Sequence, residues 1–179
     1  MTARSWESRT PPDLNRRAWI KPGPFYLLTM ETVRPANIND LARCAELLGL
    51  LFSQELEFTP NPAVQGQGLE MIVKNPETGT VFVYESDGVI QGMVVILFTI
   101  STALGKKVAI LEDMIVSPDS RRKGLGASLF QHAVDYAISQ GCGRITLLTD
   151  DDNKTAHAFY RKYGFTKSDM VVFRKLAGV

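Results

Sequence analysis

Apolar residues recur with a helical period between positions 38 and 52 of this chain. After a short predicted strand, Glu31–Ala36, five apolar residues lie three or four positions apart: Ile38, Leu41, Ala45, Leu48 and Phe52. This spacing places them on one face of an amphipathic helix, which Asn37 or Asn39 can cap. Residues 55–68 contain two prolines and two glycines and are predicted to be irregular. A short helix is predicted around 69–74.

From position 80 the period changes to two, and β-branched and aromatic residues dominate. The pattern predicts an antiparallel meander of three strands joined by tight turns. These strands are 80–85, 89–100 and 106–116. A helical pattern over 124–140 and an apolar stretch over 144–149 then predict a strand–helix–strand unit with parallel strands. A second helix (153–163) and a closing strand (170–176) complete an α/β fold on a mixed sheet.

The first 29 residues follow neither period. They contain four of the nine prolines, four arginines and two tryptophans, Trp6 and Trp19. We interpret residues 1–29 as an N-terminal arm and 30–179 as one domain, because 179 residues are enough for a single sizeable core. The tryptophans suit docking of the arm either on its own domain or on a neighbouring subunit.

Composition narrows the classes of function. With 45% hydrophobic residues, 22% charged residues and a formal net charge of +1, the chain is typical of soluble globular proteins, and its charge favours no nucleic-acid partner. The longest apolar run, 93–100, is too short to cross a bilayer, and no signal-peptide pattern precedes Phe25. Cys44 and Cys142 lack CxxC spacing, which favours reduced thiols in a cytoplasmic protein. Neither the cysteines nor the histidines have metal-ligand spacing.

The stretch 109–127 carries the first candidate chemistry. An apolar strand leads into a basic, glycine-bearing loop that opens a helix. The loop residues are Arg121, Arg122, Lys123, Gly124, Leu125, Gly126 and Ala127. Backbone N–H groups and the helix dipole converge there, which suits an anionic phosphate, although Gly-x-Gly at a helix start is more often only a tight turn. A dinucleotide-binding oxidoreductase is disfavoured, because Leu129 stands where its fingerprint needs a small residue.

A second motif follows, Asn153-x-x-Ala156-x-x-Phe159-Tyr160, with Gly164-Phe165 beyond it. Together with the preceding strand and the R-x-x-G-x-G loop, it resembles the GCN5-related N-acetyltransferase (GNAT) superfamily. The resemblance covers 31–176 and is most specific over 111–165. The run L-E-D-x-x-V at 111–116 looks most like the diamine acetyltransferase branch. The N-terminal arm lies outside the resemblance.

The resemblance implies the GNAT fold: a mixed, mostly antiparallel central sheet with a splayed pair of parallel strands and helices on both faces. It also implies acetyl-CoA as co-substrate and no metal. The CoA diphosphate would lie on the backbone of 122–127, within reach of the side chains of Arg121, Arg122 and Lys123, although a solvated basic turn would look the same. The pantetheine arm would pair like an extra strand with the backbone of Met114, Ile115 and Val116. Asn153 and Ala156 would contact it as well, and Asn153 is also a natural helix N-cap.

The implied reaction needs a neutral amine, whereas a free alkylammonium has a pKa of about 10.4. Glu112 interrupts an apolar strand, where a carboxylate is costly, and matches the family's acidic residue at the amine. The alternative for Glu112 is a structural ion pair. Tyr160 matches the family's proton donor to the leaving thiolate, and its alternative is a half-buried aromatic on a helix. A bulge near Met114, also implied by the family, would free a backbone N–H for the developing oxyanion.

Acidic residues around the implied pocket, Glu55, Glu112 and Asp150, suit a cationic acceptor. Candidates are a polyamine, a lysine side chain, a protein N-terminus and an amino-sugar, so the expected partner is a small-molecule or peptide amine and not a nucleic acid or membrane. The alternative is a non-catalytic acyl-CoA-binding regulatory module, which the presence of both Glu112 and Tyr160 disfavours. A homodimer is expected from the aromatic arm and the apolar closing strand.

Overall fold

The computed structural model describes residues 30–54 and 58–177. The N-terminal arm and Glu55 therefore lie outside the described residues. The chain divides after Thr146 into two compact units, and each is described by itself. The described strands are β1 (Glu31–Pro35), β2 (Gly79–Ser86), β3 (Val89–Ser101), β4 (Lys106–Val116) and β5 (Ile145–Leu147). The described α-helices are α1 (Leu41–Phe52), α2 (Pro62–Val73), α3 (Leu125–Ser139) and α4 (Lys154–Lys162).

The strands form one mixed sheet in the order β1-β2-β3-β4-β5. Neighbouring strands from β1 to β4 are antiparallel, and β4 and β5 form the parallel pair. Asp87 and Gly88 have φ values of 51° and 77°, the conformation that a two-residue hairpin turn between β2 and β3 requires. The predicted meander and the predicted fold class are confirmed.

Helices cover both faces of the sheet. On one face, α1 and α2 contribute Leu47 and Leu69 to a core with Val83, Val95 and Ile115. On the other face, the ring of Phe82 lies edge-on to two aromatic side chains of α3, with centroid distances of 4.8 Å to His132 and 4.9 Å to Tyr136. The alternation of β2 side chains produces this division. None of the helices within 30–54 and 58–177 combines the length and the apolar character needed to cross a membrane.

Three predicted features of the elements are wrong. The segment predicted to be irregular contains the start of α2, because Pro62 occupies the first helical position and Asn61 Oδ1 accepts a hydrogen bond from the Val64 N–H. Ile38 is exposed, because it lies in a 3-10 turn that precedes α1 and has a different period. Residues 170–176 form no strand among the described residues, and most of their apolar side chains are highly exposed.

An ion-pair cluster joins β1, β2 and the start of α1. Arg34 donates from Nη1 to Asp40 Oδ2 at 2.7 Å and from Nε to Glu85 Oε2 at 2.8 Å. Asp40 Oδ2 also accepts from the Asn37 N–H at 2.7 Å, which completes a capping box. The Arg34 guanidinium beside it holds the pKa of the buried Asp40 carboxyl below its usual range.

Replacing Asp40 with Asn is expected to lower the free energy of unfolding by about 2 kcal/mol at neutral pH, because the substitution removes a charged partner from Arg34. The Asp40 pKa is lower in the folded chain than in the unfolded one. The difference between variant and wild type should therefore be full above pH of about 4 and shrink as pH falls through the folded value. Urea unfolding at several pH values measures this. The exposed Glu46 carboxylate, paired with Arg43, gives the control: Glu46→Gln should change stability by less than about 0.5 kcal/mol.

Gln65 is a buried amide on α2 without a hydrogen-bond partner for its Oε1 among the described residues. It lies one helical turn before Leu69, whose side chain is in the core. Replacing Gln65 with Met, which is similar in length and apolar, is expected to raise the free energy of unfolding by about 1 kcal/mol. Gln67→Met, at an exposed position of the same helix, is the matched control and should leave stability unchanged. A loss of stability in Gln65→Met would contradict the expectation.

Candidate functional site

A β-bulge interrupts β4 in the middle of its most polar stretch. Val95 pairs with Glu112 and Met93 pairs with Ile115, so two residues of β4, Asp113 and Met114, face one residue of β3. Asp113 has a φ of 50°, in the left-handed region that non-glycine residues rarely adopt. A bulge bends its strand and re-aims the neighbouring side chains. The resemblance implied this bulge, but no feature of the sequence alone specifies it.

Glu112 lies on the sheet face that α1 and α2 cover. Its cross-strand partner Val95 belongs to the core on that face, and directly opposed residues of two strands project to the same side. The side chain is half-buried. Among residues 30–54 and 58–177, no cation or hydrogen-bond donor contacts its carboxylate. The ion-pair alternative therefore finds no support in the described part of the chain.

The residues after the bulge lie against the start of α3. A Cβ atom on Gly126 would lie 3.5 Å from Met114 Cε and 3.6 Å from Val116 Cγ2. Ile115, between them, projects into the core of the opposite face. The structure therefore brings the bulged end of β4 and the first turn of α3 together. Both belong to the first unit of the chain.

Strand β5 accompanies only the first part of β4. The Gly143 N–H donates to the Lys107 carbonyl at 2.8 Å, and the Ala109 N–H donates to the Arg144 carbonyl at 2.9 Å. These contacts set the parallel pairing at the start of β4, and β5 spans 3 residues beside the 11 of β4. Met114–Val116 therefore extends past the end of β5. The backbone groups of this segment on the edge away from β3 suit hydrogen bonding to an amide-bearing ligand.

The loop after β4 ends in a helix start that has no side-chain cap. Arg122 and Gly124 have φ values of 62° and 89°, and Gly124 is the N-cap of α3. The first hydrogen bond of the helix runs from the Ser128 N–H to the Gly124 carbonyl, so the N–H groups of Gly124–Ala127 have no intrahelical acceptor. At the positive end of a 15-residue helix, such donors suit an anionic group like a diphosphate.

The three cations of the loop are not equivalent. All three side chains are exposed, but Arg121 Nε donates to the Val116 carbonyl at 3.1 Å. This contact holds Arg121 against the end of β4, a role that no motif in the sequence indicates. Arg122 and Lys123 have no such contact within the described residues. Of the predicted phosphate-contacting side chains, these two are the better placed to move toward a ligand.

The second unit contains the remaining predicted residues around α4. Asn153 Oδ1 accepts a hydrogen bond from the Ala156 N–H at 3.1 Å, so Asn153 is the helix N-cap. His157 Nε2 lies 3.0 Å from the Asp150 carbonyl oxygen. The exposed Asp151 carboxylate is paired with Lys167, which lowers the Asp151 pKa. Asp150 therefore belongs to the turn that begins α4.

Tyr160 lies in α4, about two helical turns after this N-cap, and its side chain is half-buried. Its ring is 5.6 Å from that of Phe159 and 6.3 Å from that of Phe165, measured between centroids. Burial raises the pKa of the Tyr160 hydroxyl, so it stays protonated at neutral pH. Phe159 and Phe165 are half-buried as well. In the described part of the chain, His, Cys, Asp and Glu side chains form no group of three suited to a metal ion.

Comparison with known proteins identifies the family. Residues 42–165, most of the chain, match the family described as Acetyltransferase (GNAT) family. The chain belongs to that family. This acetyltransferase is 33% identical over 137 residues to an uncharacterized N-acetyltransferase of Bacillus subtilis (strain 168), YhfO, with 74% of this chain and 88% of the relative covered. No finding bears on the diamine acetyltransferase branch, which stays a prediction.

A second relative carries a substrate in its name. The glucosamine 6-phosphate N-acetyltransferase of Trypanosoma brucei brucei is 30% identical over 132 residues, covering 71% of this acetyltransferase and 83% of the relative. Among solved structures, a possible acetyltransferase from Clostridium difficile 630 matches with a TM-score of 0.75 and 17% identity, covering 83% of this chain and 99% of that one. At that identity the match concerns the fold alone.

Proposed function

We propose that this acetyltransferase transfers an acetyl group from acetyl-CoA to a primary amine by direct attack within a ternary complex. The single observation that carries the proposal is the bulged end of β4. There a carboxylate without a described partner, Glu112, is followed along β4 by backbone that extends past β5 and lies against the uncapped start of α3. A candidate base, backbone for an amide-bearing arm and an anion site thus follow one another along the chain from β4 to α3.

In this proposal, acetyl-CoA supplies an activated thioester, and the chain holds it by backbone. The N–H groups of Gly124–Ala127 bind the diphosphate, supported by the side chains of Arg122 and Lys123. Met114–Val116 pairs with the pantetheine amides. Asn153 and Ala156 are the further residues proposed for the pantetheine, Asn153 through its Nδ2, since its Oδ1 caps α4.

Two side chains of the chain transfer protons during the reaction. The Glu112 carboxylate accepts a proton from the substrate ammonium, directly or through water, and the neutral amine nitrogen then attacks the acetyl carbon. The N–C bond forms, the nitrogen loses its second proton to solvent, and the C–S bond breaks. Tyr160 donates its hydroxyl proton to the departing thiolate sulfur and recovers a proton from solvent.

The acceptor is proposed to be a cation of small size or a peptide amine. Glu112 and Asp150 supply negative charge, and Glu55 is proposed to add to it. An amino-sugar gains support from the glucosamine 6-phosphate relative, while the L-E-D-x-x-V run keeps polyamines among the candidates. A cytoplasmic location is part of the proposal, because the free cysteines Cys44 and Cys142 suit a reducing compartment.

The test is a screen of amines with acetyl-CoA, read as thiol release. Spermidine, L-lysine, glucosamine 6-phosphate and a peptide with a free N-terminus represent the four acceptor classes. At least one should release thiol well above the hydrolysis rate measured without amine. Calorimetry with acetyl-CoA separates the alternative: binding without thiol release from any amine would establish a non-catalytic acyl-CoA-binding module instead.

We also propose that the chain forms a homodimer through the C-terminal segment 170–176. Val171 and Phe173 are 75% and 91% exposed, and an apolar segment that pairs with no strand within 30–54 and 58–177 favours contact with another chain. Changing both residues to Ser is expected to convert a dimer into a monomer in light scattering. Ile138→Ser, at an exposed apolar position of α3, is the control and should leave the mass unchanged. A monomeric wild-type chain at about 50 μM would refute the dimer.

A further inference from the structure

Gln91 of β3 contacts the loop after β4 with both its backbone and its side chain. Its carbonyl oxygen accepts from the Ser117 N–H at 2.7 Å, and its Oε1 accepts from Ser120 Oγ at 2.8 Å. Both serines are 8% exposed and Gln91 is half-buried, so water has limited access to these hydrogen bonds. A buried hydroxyl that loses its acceptor is costly, which makes this geometry strongly preferred.

The two serines delimit a tight turn, which Gln91 fixes at both ends. The Ser120 N–H donates to the Ser117 carbonyl at 2.9 Å, and the Arg121 N–H donates to the Pro118 carbonyl at 3.3 Å. Immediately after this turn, Arg121 Nε donates a hydrogen bond to the Val116 carbonyl. The chain then enters the left-handed Arg122 and Gly124 conformations and starts α3. The position of the uncapped helix start is therefore set through the turn that Gln91 holds.

The next residue, Gly92, sets the position of β4 itself. A Cβ atom at Gly92 would lie 2.9 Å from the Ile115 carbonyl oxygen and 3.2 Å from Val116 Cγ2. Only a residue without a side chain permits this approach between the strands. Two adjacent residues of β3 thus fix the end of β4 and the loop that follows it.

We propose that Gln91 is a positioning residue for the cofactor loop. Through Ser117 and Ser120 it holds the N–H donors of Gly124–Ala127 in the arrangement that binds the CoA diphosphate. The inference rests on the proposed function, because it assigns a role toward acetyl-CoA. Gln91 itself contacts neither the acetyl group nor the acceptor, so its loss should affect binding of acetyl-CoA and not the chemical step.

The test compares Gln91→Met and Ser120→Ala with wild type by calorimetry with acetyl-CoA and by steady-state kinetics. Each variant should weaken acetyl-CoA binding by about tenfold, the effect expected from one shielded hydrogen bond. The KM for acetyl-CoA should rise by a similar factor, while kcat at saturating acetyl-CoA stays within about twofold. The amine used is the one of the four screened that releases thiol fastest. The double variant should lose no more than either single one, because both remove the same bond.

The outcomes separate the two claims. If wild type does not bind acetyl-CoA, the proposed function fails. If wild type binds and Gln91→Met binds equally tightly, even with a lower melting temperature, Gln91 is only structural and this inference alone is overturned. Gln131→Met is the matched control, because Gln131 makes one exposed hydrogen bond on α3, to Asp135. Should Gln91→Met fail to fold, Ser120→Ala decides the question by the same criteria.

Discussion

Replacing Glu112 with Gln is expected to lower kcat at neutral pH by about 100- to 1,000-fold, the usual contribution of a general base. The substitution keeps the size of the side chain and removes its ability to take a proton. Because the acceptor amine loses its own proton near pH of about 10, the deficit should shrink as pH rises toward that value. Measuring kcat from about pH 6 to pH 10 with the best amine of the screen follows this dependence.

Asp113→Asn is the matched control for Glu112→Gln. It removes the same charge from the adjacent residue, and Asn tolerates the left-handed conformation that Asp113 adopts in the bulge. Its kcat should stay within about threefold of wild type. Acetyl-CoA binding should be unchanged in both variants. A Glu112→Gln enzyme with wild-type kcat across the pH range would remove Glu112 from the mechanism.

Replacing Tyr160 with Phe is expected to lower kcat by about 100-fold while leaving the fold intact. The ring and its contacts with Phe159 and Phe165 remain, and only the hydroxyl is lost. A CoA thiol has a pKa of about 8.5, so the departing thiolate benefits from a proton donor at neutral pH. Thermal unfolding and steady-state kinetics on the same preparation separate a loss of function from a loss of stability.

The pH dependence sharpens the Tyr160 prediction. Since burial raises the Tyr160 pKa above that of a free phenol, the protonated, donating form should persist to higher pH than usual. The alkaline limb of the wild-type profile assigned to this group should lie above about pH 10 and be absent from Tyr160→Phe. Tyr163→Phe, whose ring lies 4.9 Å from Phe159, is the control and should retain turnover. If Tyr160→Phe retained as much turnover as Tyr163→Phe, Tyr160 would be excluded as the acid.

The strands of the meander were predictable because each is specified locally. The alternation of apolar residues gave β4 the bounds 106–116 that the structure has, and Ser86-Asp87-Gly88 gave the turn before β3. The loop and the start of α3 were predictable for the same reason, since glycine and helix-start signals act within a few residues. The wrong prediction for Ile38 also has a local cause. The α-helical period assigns Ile38 to the buried face of an α-helix, but it lies in a 3-10 turn, which has a different period.

The pairing of one strand with another could not be predicted from local patterns. Residues 170–176 have the composition of a strand, but a strand also needs a neighbour with unpaired backbone groups, and hydropathy does not specify one. The bulge at Asp113–Met114 has a similar origin. It depends on the register between β3 and β4, in which two residues of β4 face one residue of β3.

By itself, the sequence determined the fold class, the family resemblance and the residue types at the site, because these depend on spacing along the chain. Only the tertiary structure decided which contacts those residues make. In the tertiary structure, Glu112 has no ion pair among the described residues, and Arg121 donates to the Val116 carbonyl. Gln91 accepts a hydrogen bond from Ser120 in the loop after β4. The physical reason is that hydrogen bonds between β3 and the loop join residues about 30 positions apart, and their geometry follows from strand register and close packing rather than from any local pattern.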